Sequence, residues 1–287
     1  ELPESLMSRV IGETVAEPAI TFPGESYSIE ELQAAWLGTL EPVYPTKEDS
    51  TVATTPHLSL AASFSAPHHR SASVKHAKPR VLIPAFPGTN SEYDSAKIFN
   101  EAGAEAEIQV FRNLTARHIE ESLDAFAAKI RESQILMFPG GFSAGDVPDG
   151  SAKFIATVIR DPNVADAIMD LIKNRDGLIL GICNGFQALI KTGLVPYGEI
   201  RDPHADAPTL TFNDIGRHVS CYVTTRIAST MSPWMAGMEV GDLHSVPVSH
   251  GEGKFLANPA VIAELAANGQ IATQYGDTVG VYSVGIG

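Results

Sequence analysis

The sequence has few cysteines, few basic residues and no long apolar run, and each shortage excludes a class of protein. Its 2 cysteines in 287 residues are too few for a disulfide scaffold, so we expect reduced thiols in a cytoplasmic protein. The 20 Lys and Arg against 34 Asp and Glu give a net charge of −14, which argues against nucleic acid and anionic membranes as partners. No stretch approaches the roughly 20 apolar residues that cross a bilayer, and the first residues show no signal core.

The first part of the sequence predicts an extension rather than a domain with its own core. Ser28, with Glu31 three residues later, predicts the start of a short helix. Residues 51–78 are rich in Ser, Thr, Ala, Pro and His, a composition typical of a linker. We interpret the histidines there as linker residues and expect no metal site, because no Cys or carboxylate cluster accompanies them at ligand spacing.

From Pro79 onward, short apolar runs alternate with helical patterns. The strand signals lie at 80–86, 106–110, 135–138 and 178–182. Strands separated by helices predict an α/β fold with a mainly parallel central sheet, and uniformly apolar strands predict helices on both of its faces.

The pattern becomes richer in strands after Gly193. Strand signals recur at 209–212, 219–223 and 245–248, and a helix is expected near 259–268. The glycine-rich stretch 276–287 has only weak strand signals, so we expect the sheet to be incomplete at that end.

The strongest chemical signal is Gly181-Ile182-Cys183-Asn184-Gly185, which follows a buried strand and precedes a helix. Small residues two before and two after a nucleophile suit a tight strand-to-helix elbow, because such a turn brings neighbouring backbone close. The elbow would hold the thiol at the carboxyl edge of the sheet, where the helix N-terminus favours a thiolate. The alternative is a cysteine that only packs between strand and helix. The flanking glycines favour the nucleophile.

A second signal is Pro139-Gly140-Gly141, again directly after a strand. Adjacent glycines let backbone N–H groups face a substrate oxygen, so with the amide of Asn184 they could form an oxyanion hole. The alternative is a structural or phosphate-binding turn. No Lys follows at P-loop spacing, which argues against nucleotide phosphate.

A third signal is Ser249-His250-Gly251-Glu252-Gly253, a polar turn after a strand. His250 could serve Cys183 as a base with Glu252 orienting it, which would make the pair substitute triad members. Alternatively, the glycines present backbone amides to a ligand while His250 packs or is solvated.

Together these stretches resemble the class I, triad-type glutamine amidotransferase domains, and among them the glutaminase domain of phosphoribosylformylglycinamidine synthases. The joint occurrence is specific, because Gly-Gly-Phe-Ser-x-Gly-Asp marks this subfamily rather than amidotransferases in general. The resemblance covers about residues 79–275 and is carried by 86–90, 138–146, 181–187 and 249–253, with 211–213 and 216–217 between them.

The resemblance implies a flavodoxin-like three-layer fold for residues 79–287. It implies that residues 1–50 are the tail of a preceding synthetase region and that 51–78 join the two. The synthetase region, in the same polypeptide or a separate chain, would use ATP and magnesium to aminate formylglycinamide ribonucleotide in purine biosynthesis. We expect no cofactor in the present chain.

The resemblance also implies roles for individual residues. Cys183 would attack the side-chain amide of L-glutamine and form a thioester that water hydrolyses to glutamate, while the ammonia passes to the synthetase. Three residues should hold the oxyanion through their amides: Gly140, Gly141 and Asn184. Three more should contact the glutamine: Gln187, Ser249 and Gly251.

The sequence departs from the family at the base. In the family the catalytic His and Glu form a His-x-Glu motif near the C-terminus, whereas His250 is the last histidine here. We expect that motif to lie outside residues 1–287, and His250 to lie beside the glutamine pocket without a hydrogen bond to the Cys183 sulfur. Two alternatives stay open: a catalytically incomplete docking or regulatory domain, and another elbow-cysteine hydrolase of esterase or peptidase type.

Overall fold

The computed structural model describes residues 11–39, 74–142, 152–202, 204, 207–213 and 215–275. Within these ranges no helix is long and apolar enough to cross a membrane. The chain divides into two compact units, residues 1–52 and 53–287. Most of the expected linker, residues 51–73, and the glycine-rich end, residues 276–287, lie outside the described ranges. The assignment of residues 1–50 to a synthetase tail stays a prediction.

The first unit contains an antiparallel hairpin of β1 (Ala19–Phe22) and β2 (Glu25–Ser28), followed by helix α1 (Ile29–Gly38). The Ser28 hydroxyl accepts a hydrogen bond from the Glu31 amide at 3.1 Å, and the Glu31 carboxylate accepts one from the Ser28 amide at 3.1 Å. This reciprocal capping satisfies two amides that the first helical turn leaves without partners. The predicted helix start is confirmed.

The second unit begins with alternating strands and helices. In chain order these are β3 (Arg80–Ala85), β4 (Thr89–Asn90), α2 (Glu92–Glu101), β5 (Glu105–Val110), α3 (Ala116–Glu132), β6 (Ile135–Phe138), β7 (Gly140–Gly141), α4 (Lys153–Ile159), α5 (Pro162–Lys173), β8 (Leu178–Gly181), α6 (Asn184–Thr192) and α7 (Leu194–Tyr197). It continues with β9 (Thr209–Thr211), β10 (Val219–Ile227), β11 (Leu243–His250), β12 (Lys254–Leu256), α8 (Pro259–Ala267) and β13 (Thr273–Tyr275).

Four parallel strands form the central sheet in the order β5-β3-β6-β8. One face packs on α3, α5 and α6 around fully buried side chains that include Leu82, Phe126, Leu136 and Leu171. The other face packs on α2 around Ile83, Ala96 and Met137. The predicted parallel sheet with helices on both faces is therefore confirmed.

The strand-rich region after Gly193 forms a second group of elements. Strand β10 lies between β11 and β13 in an antiparallel sheet, and β9 pairs with β12. A smaller apolar cluster joins α6 to this region through Ile190, Phe255 and Leu265. Helix α6 thus contacts both groups.

The first turn of α6 packs directly on the end of β6. A Cβ added to Gly185 would lie well inside van der Waals distance of the Phe138 carbonyl oxygen. The Gly185 amide donates to the carbonyls of Pro139 and Ile182 at 3.1 and 2.9 Å. Only a residue without a side chain allows this backbone approach.

We expect Gly185→Ala to destabilise the chain by about 2 kcal/mol. The clash with backbone, which no flexible side chain can absorb, costs about 3 kcal/mol, and Ala gains about 1 kcal/mol over Gly in a helix. Urea unfolding measures the difference. Gly237→Ala is the matched control, since its Cβ meets open space, and it should stay within about 0.5 kcal/mol of wild type. A Gly185→Ala chain as stable as wild type would refute the close approach.

Candidate active site

A cavity of about 270 Å³ lies beside the start of α6. Its size suits a single amino acid better than the larger ligands that fill clefts of roughly 300–1,000 Å³. Of the predicted site residues, every one except Gly140 lines it. The described residues that line it are Gly141, Phe142, Cys183, Asn184, Gln187, Phe212, Gly216, Arg217, His218, Ser249, His250, Gly251 and Glu252.

Cys183 lies at the bend between β8 and α6, and its side chain is exposed. Its backbone has φ 52° and ψ −112°, a conformation that costs a non-glycine residue roughly 1–3 kcal/mol. The bend is held from the β6 side, where the Ile182 amide donates to the Phe138 carbonyl at 3.0 Å. The structure thus presents the Cys183 thiol to the cavity on a strained turn.

Gly140 and Gly141 form β7, which pairs with Thr89 and Asn90 of β4. Gly141 has φ 115°, and a Cβ on it would clash with the Gly88 carbonyl oxygen. A Cβ on Gly140 would meet the Cys183 Cβ at 3.2 Å, so this short strand lies against the thiol. The remainder of the predicted motif, residues 143–146, lies outside the described ranges.

Asn184 and Gln187 connect the elbow to the turn after β11. The Asn184 amide nitrogen Nδ2 donates to Gln187 Oε1 at 3.2 Å, and Gln187 Nε2 donates to the Glu252 carbonyl oxygen at 3.1 Å. Asn184 is also the first residue of α6, at the N-terminal end of the helix beside Cys183. Its predicted oxyanion role is compatible with this position and stays a prediction.

His250 lines the cavity and is oriented by Asn213. The Asn213 side-chain nitrogen donates to the carbonyls of His250 and Arg217 at 2.8 and 3.1 Å. Its oxygen therefore faces His250 Nδ1 at 2.9 Å, so Nδ1 carries the proton and Nε2 of the neutral ring keeps its lone pair. Burial, and secondly the charge on His218, hold the pKa of His250 below its usual value.

The substitute triad of Cys183, His250 and Glu252 is not assembled in this structure. Asn213, rather than the Glu252 carboxylate, occupies His250 Nδ1. Among the hydrogen bonds of the described residues, none joins the His250 ring to the Cys183 sulfur, as the sequence led us to expect. The roles of His250 and Glu252 remain predictions.

The sequence assigned no role to His218, Arg217 or Asn213, although all three lie at this site. His218 Nε2 and the Ser249 hydroxyl are 2.9 Å apart. The register pairs Ser220 with Ser249, so His218 is the diagonal neighbour of Ser249 on the same face. Nothing in the local sequence signals this contact, because it depends on the strand register.

The strained backbone at Cys183 predicts an order of stability among variants. Cys183→Gly should be more stable than Cys183→Ala by about 1 kcal/mol. Glycine relieves roughly 1–3 kcal/mol of backbone strain at this position. It also loses roughly 0.5–1 kcal/mol relative to alanine, because it has more conformational freedom in the unfolded chain. Urea unfolding of the two variants tests this order, and an alanine variant as stable as the glycine variant would argue against a strained elbow.

The lowered pKa of His250 predicts a loss of stability in acid. Because folded His250 binds a proton less readily than the unfolded chain, the unfolded state takes up more protons as the pH falls below about 6.5. Its contribution to stability therefore declines as the pH drops from that value toward the lowered pKa. His250→Gln should show a shallower decline in urea midpoint between about pH 8 and about pH 5. Identical slopes would contradict this account.

Comparisons with known proteins identify a family and several relatives of this chain. Residues 78–284 match the family model described as the CobB/CobQ-like glutamine amidotransferase domain. A phosphoribosylformylglycinamidine synthase subunit PurQ from Dehalococcoides mccartyi is 38% identical over 189 residues, which are 66% of this chain and 68% of the relative. The protein of the same name from Methanococcus maripaludis is 35% identical over 207 residues, covering 70% and 68%. The solved structure of PurLQS from Thermotoga maritima aligns with a TM-score of 0.49 and 23% identity, covering 70% of this chain and 76% of that chain.

Proposed function

The chain belongs to the family of CobB/CobQ-like glutamine amidotransferase domains, and we propose that it is the glutaminase portion of a phosphoribosylformylglycinamidine synthase. Relatives at 35–38% identity carry the name of a subunit of that enzyme, which supports this assignment. The observation that carries the chemistry is the cavity of about 270 Å³ that opens on Cys183 and is lined by Asn184 and Gln187.

In the proposed reaction, the Cys183 sulfur attacks the side-chain amide carbon of glutamine. The amides of Gly140, Gly141 and Asn184 hold the oxyanion of the tetrahedral intermediate. Its collapse breaks the carbon–nitrogen bond, and the nitrogen takes up a proton and leaves as ammonia. Water then attacks the thioester, which releases glutamate and restores the thiol.

The remaining residues of the cavity bind the substrate in this proposal. Gln187, Ser249 and Gly251 contact the glutamine, and all three line the cavity. The hydrogen bond from Gln187 to the Glu252 carbonyl keeps the turn after β11 against α6, so the substrate contacts and the nucleophile hold a fixed spacing.

The ammonia is consumed in a synthetase region, in the same polypeptide or in a separate chain. There it aminates formylglycinamide ribonucleotide in a reaction that consumes ATP and uses magnesium. We assign no cofactor to the present chain, since the proposed hydrolysis needs only a thiol, hydrogen-bond donors, a base and water.

A second candidate function is docking or regulation without turnover. It is favoured by one observation: in the described part of the chain the Cys183 sulfur has no histidine hydrogen-bonded to it. On this alternative the fold and the cavity persist, and glutamine binds without sustained hydrolysis.

The nucleophile is tested by glutamate release. Wild type, assayed with and without a synthetase partner, should release glutamate from glutamine, and Cys183→Ala should lower the rate by about 10³-fold or more because the covalent route is lost. Cys221→Ala is the matched control, since Cys221 is the other free cysteine and lies on β10 outside the cavity. Its rate should equal that of wild type.

Two results would decide against the proposal. Release that persists in Cys183→Ala would exclude this thiol as the nucleophile. An absence of release from wild type under both conditions would favour docking alone.

A further inference from the structure

The cavity is lined by residues from two groups of elements. The elbow after β8 and the short strand β7 contribute Cys183 and Gly141. The segment leading into β10 and the end of β11 contribute Arg217, His218 and Ser249. The first group carries the proposed chemistry, whereas the proposed function gives only Ser249 of the second group a role.

His218 is held next to Ser249 by the register of the hairpin. Its position two residues before Ser220 places it on the face of β10 that Ser249 shares, and the ring nitrogen Nε2 is 2.9 Å from the Ser249 hydroxyl. The other ring nitrogen lies toward Gly251, where an added Cβ would be 3.9 Å away. His218 thus lies against two residues that are expected to contact the substrate.

The charges around His218 distinguish this part of the cavity from the rest of the chain. The whole sequence has a net charge of −14. Among the described residues that line the cavity, however, Glu252 is the one carboxylate, and Arg217, His218 and His250 are the basic groups. Arg217 precedes His218 and donates to its carbonyl oxygen at 3.2 Å. Free glutamine carries an α-carboxylate, which such donors stabilise.

We propose that His218 is a substrate-positioning residue that fixes the Ser249 hydroxyl and, beside Arg217, holds the α-carboxylate of free glutamine. This inference rests on the proposed function and adds the determinant that selects a free amino acid over glutamine within a peptide. With the head group held at β10 and β11, the side-chain amide extends toward Cys183 in the same cavity. A ligand that lacks the α-carboxylate gains nothing from His218.

The test measures alkylation of Cys183 by two electrophiles. The first is the chloromethyl ketone analogue of glutamine, which carries the α-carboxylate, and the second is iodoacetamide, which carries none. His218→Phe should raise the half-saturating concentration of the chloroketone about tenfold, the effect of losing one hydrogen bond to a charged group. Its maximal labelling rate and the iodoacetamide rate should equal those of wild type, because the thiol is unchanged.

Two further variants make the result specific. His218→Gln keeps a hydrogen-bond donor for Ser249 and the carboxylate, so it should bind the chloroketone more tightly than His218→Phe and less tightly than wild type. If His218→Phe fails to fold, His218→Gln alone tests the inference. His244→Gln replaces a histidine of the same strand pair that lies outside the cavity, and it should match wild type.

The outcomes separate this inference from the proposed function. The role of His218 alone would be overturned by the following result: chloroketone labelling of wild type saturates and is blocked by glutamine, and both His218 variants have the same half-saturating concentration as wild type. Wild-type labelling that neither saturates nor is blocked by glutamine would overturn the proposed function, and the role of His218 with it. If the His218 variants lost labelling by iodoacetamide to the same extent as labelling by the chloroketone, His218 would have only a structural role.

Discussion

The site depends on the direct packing of the first turn of α6 on the end of β6. Gly185 permits this approach, since any side chain there would meet the Phe138 carbonyl. The approach forces the chain to turn sharply at Cys183, and that residue therefore adopts a strained backbone conformation with a positive φ of 52°. Three backbone hydrogen bonds, from the amides of Ile182 and Gly185, hold the turn. An exposed thiol at a fixed position is the consequence.

The cavity needs both groups of elements in the second unit. The elbow after β8 of the central sheet provides the thiol, the short strand β7 provides the glycines beside it, and the antiparallel hairpin provides polar residues that line the same cavity. Gln187 joins the two by its bond to the Glu252 carbonyl, while Asn213 fixes the turn through the His250 carbonyl and ring. Because the Gln187 contact joins the two groups of elements, the spacing from substrate head group to thiol is a property of the whole unit.

Much of this arrangement could be predicted from the sequence because it is local. Apolar runs separated by helical periodicity predicted the parallel sheet, and glycines spaced around Cys183 predicted the elbow. The pairing of His218 with Ser249 joins residues 31 apart, and the bond from His250 to Asn213 joins residues 37 apart. The first depends on the register of β10 and β11, and the second on the loop between β9 and β10; no local sequence pattern encodes either. The sequence therefore predicted where His250 lies but offered Glu252, its near neighbour, as the group that orients it.

The central claim is that the elbow presents Cys183 as a nucleophile toward a glutamine held in the adjacent cavity. Mass spectrometry of the intact chain, acid-quenched shortly after mixing with glutamine, tests it most directly, since the quench traps a thioester. The account predicts an increase of one glutamyl group on Cys183 and none on Cys221. An unmodified chain at saturating glutamine, or an adduct on Cys221, would contradict it.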